Sequence, residues 1–281
     1  MTCTPKRVAE LTVVLVHDVP FVTLTVNGMP ATFILDTGAE RSIVTTAAAE
    51  RLGLRPEVRI SRQMRGIGGT VGLNLARMDS LEAAGDRLPD TTILVGASDF
   101  PRIGGETPDG LLGGDVLSDF DLDLDVPDRR LVFYDPAACP GAEPPWHPQA
   151  TLAANRSLHD RLFFPVTLDG KALTAFIDTG AQNSVIDTSA ALSTGVTQAR
   201  LRGDPAAVAR GASTQMVQLR RHQFGVLNVG GELVRDPSLL VTPLDLNDAD
   251  IVLGMDFVAS RRVWLSYQTP RVFVGRPLAG S

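Results

Sequence analysis

The 281-residue sequence has little of several residue types on which common kinds of protein depend. It contains two cysteines and four histidines, without a C-x-x-C or H-E-x-x-H pattern, which argues against a zinc site. No apolar run approaches the roughly 18 residues that a membrane-spanning helix needs. Positive charge is not in excess, and the formal net charge of −6 disfavours nucleic acid as a partner. Aromatic residues make up only 5%, but hydrophobic residues reach 44%, which is typical of a soluble globular chain.

The two cysteines leave two interpretations open. Cys3 and Cys139 flank the first half of the chain. A disulfide between them would indicate an oxidising compartment, and two free thiols are the alternative. The first apolar stretch, Val13–Val16, is too short to be the core of a secretory signal. Either the protein is cytoplasmic, or its signal is absent from this chain. Of the two we expect a periplasmic or secreted protein, with a cytoplasmic protein as the alternative.

The sequence contains an internal duplication. Phe21–Ala49 aligns without gaps with Phe163–Ala191 at an offset of 142 residues. A second block, Asp109–Asp115, aligns with Asp250–Asp256 at an offset of 141 residues. Because the two blocks keep their order and nearly their separation, they predict two homologous lobes of about 140 residues each.

A proline-rich connector marks the boundary between the copies. Five of the thirteen residues between Pro136 and Pro148 are proline, which removes amide donors and stiffens the chain. We therefore expect an N-terminal lobe over residues 1–140, a linker over 141–150 and a C-terminal lobe over 151–281.

Short β-type runs that are joined by tight turns predict an all-β fold with little helix. Asn27-Gly28 and Asp169-Gly170 supply the positive φ angles that two-residue hairpins need. The run Thr46–Leu52 predicts a short helix that ends at Gly53.

Strict alternation over residues 118–126 places four aspartates on one face of a strand and apolar residues on the other. The four are Asp119, Asp121, Asp123 and Asp125. Carboxylate oxygens suit calcium, but the spacing of a calcium-binding loop is missing. We therefore expect the solvated face of a half-buried strand.

The most informative feature is the sequence Asp-Thr-Gly-Ala, which follows an apolar strand end in each copy and contributes Asp36 and Asp178. A carboxylate in apolar surroundings is costly unless it is paired or functional. In a duplicated fold with pseudo-twofold symmetry the two loops can meet, and two carboxylates in contact share one proton. The charged member can then act as general base on a water while the protonated member polarises a carbonyl. We therefore predict that Asp36 and Asp178 are catalytic in amide hydrolysis, with no metal and no cofactor.

The residues after each aspartate suit the same task. The threonine hydroxyls can bond across the interface, the glycine lets the backbone turn close to a carboxylate, and the alanine leaves room for substrate. The predicted supporting residues are Thr37, Gly38, Ala39, Thr179, Gly180 and Ala181. A single Asp-Thr-Gly would more often be an Asx turn at a strand end, but two copies in matched repeats weaken that explanation.

Together these motifs resemble the retropepsin-like aspartic proteases, here with both lobes in one chain. The family's second motif, two apolar residues and a glycine behind the catalytic loop, appears as Leu111–Gly113 and Val252–Gly254. The resemblance implies two retropepsin- or pepsin-like β-barrel lobes with short helices, related by a pseudo-twofold axis in a monomer that is an intramolecular pseudo-dimer. Two-lobed bacterial periplasmic proteases of the PerP type are a similar group.

The family's flap, a glycine-rich hairpin over the active site, is resembled by Met64–Gly72. The resemblance assigns substrate contacts to Gly66, Ile67, Gly68 and Gly69, and in the second copy to Gly211, Ala212 and Ser213. The first of these segments is not a dinucleotide loop, because the sixth position of the G-x-G-x-x-G pattern is Val71.

Two functions are compatible with the sequence. The first is an aspartic endopeptidase that holds an extended peptide or protein substrate under the flap. The alternative is a non-catalytic peptide-binding or scaffold module of the same fold, since a fold alone does not establish activity. Intact Asp-Thr-Gly-Ala in both copies favours the enzyme. A site formed between two chains is a further alternative, although the connector is long enough to reach across one lobe.

Overall fold

The computed structural model describes residues 3–66, 69–89, 92–96, 100, 102, 105, 107–210, 216–244 and 249–277. In chain order its strands are β1 Lys6–Thr12, β2 Val14–Val16, β3 Val19–Val26, β4 Met29–Leu35, β5 Ile43–Thr45, β6 Arg55–Gly66, β7 Gly69–Arg77, β8 Leu81–Ala83, β9 Asp86–Arg87, β10 Thr92–Gly96, β11 Gly110–Leu112, β12 Asp121–Asp125, β13 Arg130–Asp135, β14 Ala150–Ala153, β15 Asn155–Arg156, β16 Leu162–Leu168, β17 Lys171–Ile177, β18 Val185–Asp187, β19 Ala206–Arg210, β20 Met216–Gln223, β21 Val226–Val229, β22 Glu232–Arg235, β23 Ser238–Thr242, β24 Ile251–Leu253, β25 Arg262–Ser266 and β26 Arg271–Val274. The helices are α1 Thr46–Arg51, α2 Gly114–Leu117, α3 Thr188–Ser193, α4 Gln198–Gly203 and α5 Met255–Val258. The predicted all-β class with short helices is confirmed.

Each copy opens with a hairpin that ends at its Asp-Thr-Gly-Ala. β3 pairs antiparallel with β4, and β16 pairs antiparallel with β17. The turns have the predicted positive φ angles, 49° and 78° at Asn27-Gly28 and 49° and 80° at Asp169-Gly170. These angles match the right-handed twist of the strands, so each hairpin is tight and its second strand points at the site.

Each lobe builds its own ten-stranded sheet. The first has the order β6-β7-β10-β5-β11-β4-β3-β8-β9, with β2 beside β3, and the second has the order β19-β20-β23-β18-β24-β17-β16-β21-β22, with β15 beside β16. The predicted helix is α1, whose N-cap Thr45 accepts from the Ala48 amide at 3.0 Å. Gly53 follows with φ 64°, as a helix C-terminus favours.

A third sheet of six strands joins the lobes, in the order β1-β13-β12-β25-β26-β14. Its centre is the antiparallel pair β12 and β25, in which Leu122 lies opposite Leu265 and Leu124 opposite Val263. Strands from the two copies therefore share one hydrogen-bonded ladder. Apolar side chains from both copies also pack in one continuous cluster, which includes Leu24, Phe133 and Phe164.

The predicted solvated face of β12 is wrong. Asp121, Asp123 and Asp125 are only 1%, 1% and 5% exposed, and Asp119 precedes the strand. The connector covers this face, because Cys139, Ala142 and Trp146 of the connector pack against Trp264 and Phe273 of the sheet. Alternation identifies the two faces of a strand but not what covers each of them.

The buried carboxylates of β12 are compensated by arginines from both lobes. Arg262 of β25 grips Asp123 with both ends of its guanidinium, at 2.8 and 2.6 Å, and the Trp146 indole donates to the same carboxylate at 3.1 Å. Arg130 lies 3.4 Å from Asp125. Charge-assisted bidentate pairs of this kind offset the cost of burying a carboxylate.

Cys3 and Cys139 form a disulfide, with their Cα atoms 5.8 Å apart. The bond ties the residues before β1 to the connector that covers the six-stranded sheet.

We expect that the protein, denatured without reductant, takes up no thiol-specific label and that after reduction it takes up two. We further expect that Cys3→Ser/Cys139→Ser lowers the free energy of unfolding by about 2–4 kcal/mol, because the unfolded chain gains conformational freedom. Mass spectrometry and urea unfolding measure the two effects, and labelling of both thiols without reductant would refute the bond.

Within the described part of the chain, none of the helices is long and apolar enough to cross a membrane.

Candidate active site

Each aspartate of the Asp-Thr-Gly-Ala pair is held by a parallel strand at the point where its own strand ends. The Asp36 amide donates to the Leu112 carbonyl at 3.0 Å, and the Asp178 amide donates to the Leu253 carbonyl at 2.9 Å. These carbonyls belong to β11 and β24, which run parallel to β4 and β17. The predicted second motif thus lies directly behind each loop.

The two carboxyl groups face each other across the pseudo-twofold axis. A Cβ atom placed on Gly38 would collide with the carboxyl of Asp178, and one placed on Gly180 would collide with that of Asp36. Each glycine therefore makes room for the carboxyl of the opposite lobe. The sequence predicted that the carboxyls of Asp36 and Asp178 lie close together, and in the structure they do.

Backbone amides hold one oxygen of each carboxyl. In the first loop the amides of Gly38 and Ala39 donate to Asp36 Oδ1 at 3.0 and 2.9 Å. In the second loop the amides of the matching glycine and alanine donate to Asp178 Oδ1 at 2.8 and 3.1 Å. These amide hydrogen bonds fix the orientation of each carboxyl within its loop.

The two threonines lock the loops together, as the sequence predicts. The Thr37 amide donates to Thr179 Oγ1 and the Thr179 amide to Thr37 Oγ1, both at 3.1 Å. Each hydroxyl in turn donates across the interface, Thr37 to the Ile177 carbonyl at 2.8 Å and Thr179 to the Leu35 carbonyl at 2.6 Å. Both side chains are buried, so the four bonds fix the separation of the two carboxyls.

We expect Thr37→Val and Thr179→Val each to lower the free energy of unfolding by about 1–3 kcal/mol. Valine keeps the shape of threonine but leaves a buried amide and a buried carbonyl without partners. Urea unfolding measures the loss. Thr23→Val on the exposed face of β3 is the matched control. An equal effect at Thr23 and at either buried threonine would contradict the interpretation.

A serine and an aspartate brace each loop, and the sequence analysis missed them. Asp115 Oδ1 accepts from both the amide and the hydroxyl of Ser42 at 2.7 Å, and the Gly113 amide donates to Ser42 Oγ at 2.9 Å. In the second lobe Ser184 donates to Asp256 Oδ1 through its amide at 2.9 Å and its hydroxyl at 2.6 Å. All four residues lie in the duplicated blocks, so the repeat itself carried the signal that could have found them.

Burial raises the pKa of both carboxyls, and the charge of the partner carboxyl raises that of Asp36 further. The pKa of Asp36 is raised well above its usual range, first by desolvation and then by the charge of Asp178 and the hydrogen bond with it. Burial raises the pKa of Asp178 too, while the hydrogen bond from Asp36, the amides of its own loop and the charge of Arg161 oppose that rise. The pair therefore keeps one proton where two separate aspartates would both be ionised.

The predicted flap of the first lobe lies at the turn between β6 and β7. These strands pair antiparallel up to Gly66 opposite Gly69. Ile67 and Gly68 lie outside the described residues. In the second lobe β19 and β20 pair antiparallel, and Gly211, Ala212 and Ser213 between them lie outside the described residues as well. Substrate contacts at these seven residues remain a prediction.

A second pair of loops crosses the interface beside the dyad, and sequence reasoning assigned it no role in the site. Arg161, just before β16, donates from Nε to the Gly38 carbonyl at 2.8 Å. His159 Nδ1 lies 3.1 Å from a Glu40 carboxylate oxygen. On the other side the Gln182 side chain donates to the His17 carbonyl at 2.6 Å. Both histidines thus contribute contacts between the lobes.

Comparison with known proteins identifies the family. The model of the family described as aspartyl protease matches residues 22–116 and 164–257, once in each lobe. The chain therefore belongs to the aspartyl protease family, and its two repeats form a two-lobed, mostly β member. Among curated proteins it is similar to Protein DDI1 homolog 1 of Caenorhabditis elegans, with 42% identity over 52 residues. That match spans 18% of this chain and 13% of the relative. The predicted likeness to retropepsin-like proteases is confirmed, and the likeness to the PerP type stays a prediction.

Proposed function

We propose that the protein is an aspartic endopeptidase with one active site between its lobes, and that Asp36 and Asp178 are its catalytic pair. The observation that carries the proposal is the approach of two half-buried carboxyls across the pseudo-twofold axis. Each carboxyl occupies the space that a side chain on the glycine of the opposite loop would need. Membership of the aspartyl protease family supports it.

The chemistry follows from a dyad that holds one proton. A water between the carboxyls gives a proton to the ionised aspartate as its oxygen attacks the scissile carbonyl carbon. The protonated aspartate donates to the carbonyl oxygen, and a tetrahedral diol forms. The proton taken from the water then passes to the amide nitrogen, while one hydroxyl of the diol returns a proton to the aspartate that had donated. The carbon–nitrogen bond breaks, the acid and the amine leave, and the dyad again holds one proton. Thr37 and Thr179 keep the carboxyls at the separation that holds this water.

The substrate that fits is an extended peptide. The loops of the dyad lie at the ends of strands, and the β6–β7 hairpin supplies a further strand pair in the same sheet. A peptide bound between the dyad and a flap at residues 66–69 would pair its backbone as a strand does, with alternate side chains in pockets. Closure of the flap would exclude bulk water from the reaction.

Cleavage of a diverse peptide library between pH 3 and 8, read by mass spectrometry, tests the proposal. We expect internal cuts and a bell-shaped dependence of kcat/KM on pH, because the dyad must hold one proton and one negative charge. Cleavage of no peptide at any pH would refute the endopeptidase. Peptide binding without cleavage would then favour the alternative, a non-catalytic binding or scaffold module.

We propose that the active unit is one chain, because both aspartates of the site come from the same polypeptide. Specific activity is then expected to be independent of enzyme concentration over a wide dilution range. Analytical ultracentrifugation at the assay concentrations gives the matching mass. A rate per chain that falls in proportion to dilution would indicate a site formed between two chains.

We propose an oxidising compartment, periplasmic or extracellular, as the place of action. The Cys3–Cys139 disulfide supports this proposal, since such bonds persist where thiols are not kept reduced. Labelling of the protein's thiols directly in lysed source cells would decide it, and two free thiols there would favour the cytoplasm.

A further inference from the structure

The arginine beside the dyad has no counterpart in the other lobe. Arg161 lies 142 positions after Val19, the offset that relates the duplicated blocks. Val19 is buried in an apolar cluster with Phe21 and Ile34. The charged position of one lobe is thus an apolar position of the other, and the near symmetry of the active site is broken here.

Several contacts hold the guanidinium of Arg161 in place. Its Nε donates to the Gly38 carbonyl at 2.8 Å, and Nη2 lies 3.7 Å from a Glu40 carboxylate oxygen. Its carbon Cζ stands 5.4 Å from the centre of the Phe176 ring. The side chain is only 19% exposed. A charge held this firmly and screened this little acts strongly on its neighbours.

The held charge lies beside the strand that leads into Asp178, because the guanidinium stands near the ring of Phe176, two residues before that aspartate. Gly38, whose carbonyl Arg161 binds, abuts the Asp178 carboxyl, and its amide donates to Asp36. The positive charge opposes the rise of the pKa of Asp178 that burial causes. For Asp36 the charge of Asp178 and the hydrogen bond with it raise the pKa further, while the amides of Ala39 and Gly38 lower it.

Other charged groups around Arg161 face it from the solvent side. Glu40 offsets part of its charge and also binds His159 at 3.1 Å. Asp160 is neutralised by Arg156, whose guanidinium lies at 2.6 Å. Glu40 and His159 are 39% and 57% exposed, so water screens them more than it screens Arg161.

We infer that Arg161 is a positioning residue that makes the dyad unequal, so that Asp178 carries the negative charge in the free enzyme and Asp36 keeps the shared proton. The inference rests on the proposed function and adds to it an assignment of roles. Asp178 then takes the proton of the attacking water, and Asp36 donates to the carbonyl oxygen of the substrate. If both carboxyls had the same surroundings, the orientation of the bound substrate would decide which aspartate acts as base and which as acid.

The kinetic test compares Arg161→Gln with Arg161→Lys. Loss of the cation makes the dyad harder to ionise, so both limbs of the kcat/KM profile move to higher pH. We expect kcat/KM of Arg161→Gln at a fixed pH on the acid limb to fall about tenfold, and on the alkaline limb to rise. Arg161→Lys keeps the charge and is expected to retain the wild-type limbs. A lower plateau with unmoved limbs in Arg161→Gln would show a merely structural role and overturn the inference.

The matched control is Arg156→Gln, which removes a cation from β15, directly before the same loop. Arg156 binds Asp160 and the Ser118 hydroxyl rather than the loop of the dyad. Its loss can loosen the loop, but the limbs of the pH profile are expected to stay in place. If the limbs of the pH profile moved equally in Arg161→Gln and Arg156→Gln, the shift would come from loosening of the loop. That result would overturn the role of Arg161.

A second measurement does not need activity. Carbon NMR of protein labelled at the aspartate carboxyl carbon follows the dyad directly, with signals assigned from Asp36→Asn and Asp178→Asn. We expect the signal of Asp178 to move to its ionised position at a lower pH than the signal of Asp36 does. We expect the interval between these two midpoints to be smaller in Arg161→Gln. The reverse order in the wild type, or an unchanged interval, would overturn the inference. A wild type that shows the order but cleaves no peptide would leave this assignment standing and refute the proposed function.

Discussion

We expect Asp36→Asn and Asp178→Asn each to lower kcat for peptide cleavage by about a thousandfold or more. Either change removes a carboxyl that must accept or hold the single proton of the dyad, and an amide can do neither. General acid–base groups contribute on the order of 10²–10⁴ each, and residues that act as one unit lose most of their effect together. Initial rates on a peptide cut by the wild type measure the loss. The double variant is expected to be no worse than either single one.

The matched control is Asp86→Asn in β9, an exposed aspartate at the far edge of the same ten-stranded sheet. It makes the same chemical change outside the interface and is expected to retain wild-type rates. Because asparagine fits the space of aspartate, both dyad variants should keep the wild-type circular dichroism. Activity above about a tenth of the wild-type rate in either one would refute the assignment.

We expect Asp123→Ala to lower the free energy of unfolding by about 3–5 kcal/mol, a large part of the roughly 5–15 kcal/mol that a typical protein has. The change leaves the Arg262 guanidinium, which is 25% exposed, without the carboxylate that it grips at 2.8 and 2.6 Å. It also removes the acceptor of the Trp146 indole, and with it a bond from the connector to the sheet. Urea unfolding measures the loss.

Two further variants test the cause. Asp128→Ala removes an equal charge from an exposed turn next to β12 and is expected to change the free energy of unfolding by no more than about 0.5 kcal/mol. Arg262→Ala in the Asp123→Ala background should cost less than the sum of the single changes, because the partner is already absent. A loss below about 1 kcal/mol for Asp123→Ala would show that the pair does not hold the lobes together.

The features of the fold and site that could be predicted from the sequence are those that occur in both copies of the duplication. Asp36 and Asp178 were visible because each stands in the same four-residue context at the same place in a repeat. The hairpin turns Asn27-Gly28 and Asp169-Gly170 were visible because positive φ angles demand such residues. Local chemistry and repetition were enough for both.

The parts that could not be predicted depend on what lies next to a residue in space. The burial of Asp121, Asp123 and Asp125 comes from a connector that folds back over the sheet, and no period in the sequence records it. Arg161 could not be found from the repeat, because it precedes the aligned block, which begins at Phe163, and its counterpart is Val19. A residue that differs between the two repeats can give the two equivalent aspartates different surroundings and therefore different roles.

The antiparallel pair at the centre of the six-stranded sheet has a consequence for the origin of the chain. Either lobe alone would present β12 or β25 as an open edge strand, which a second copy of the same lobe could cover about a twofold axis. A gene for one lobe would then have encoded a self-pairing subunit with one aspartate per chain. Fusion of two such genes would have made the association of the lobes intramolecular. The two lobes could then change independently of each other. An arginine on one side and a valine on the other became possible only after that fusion.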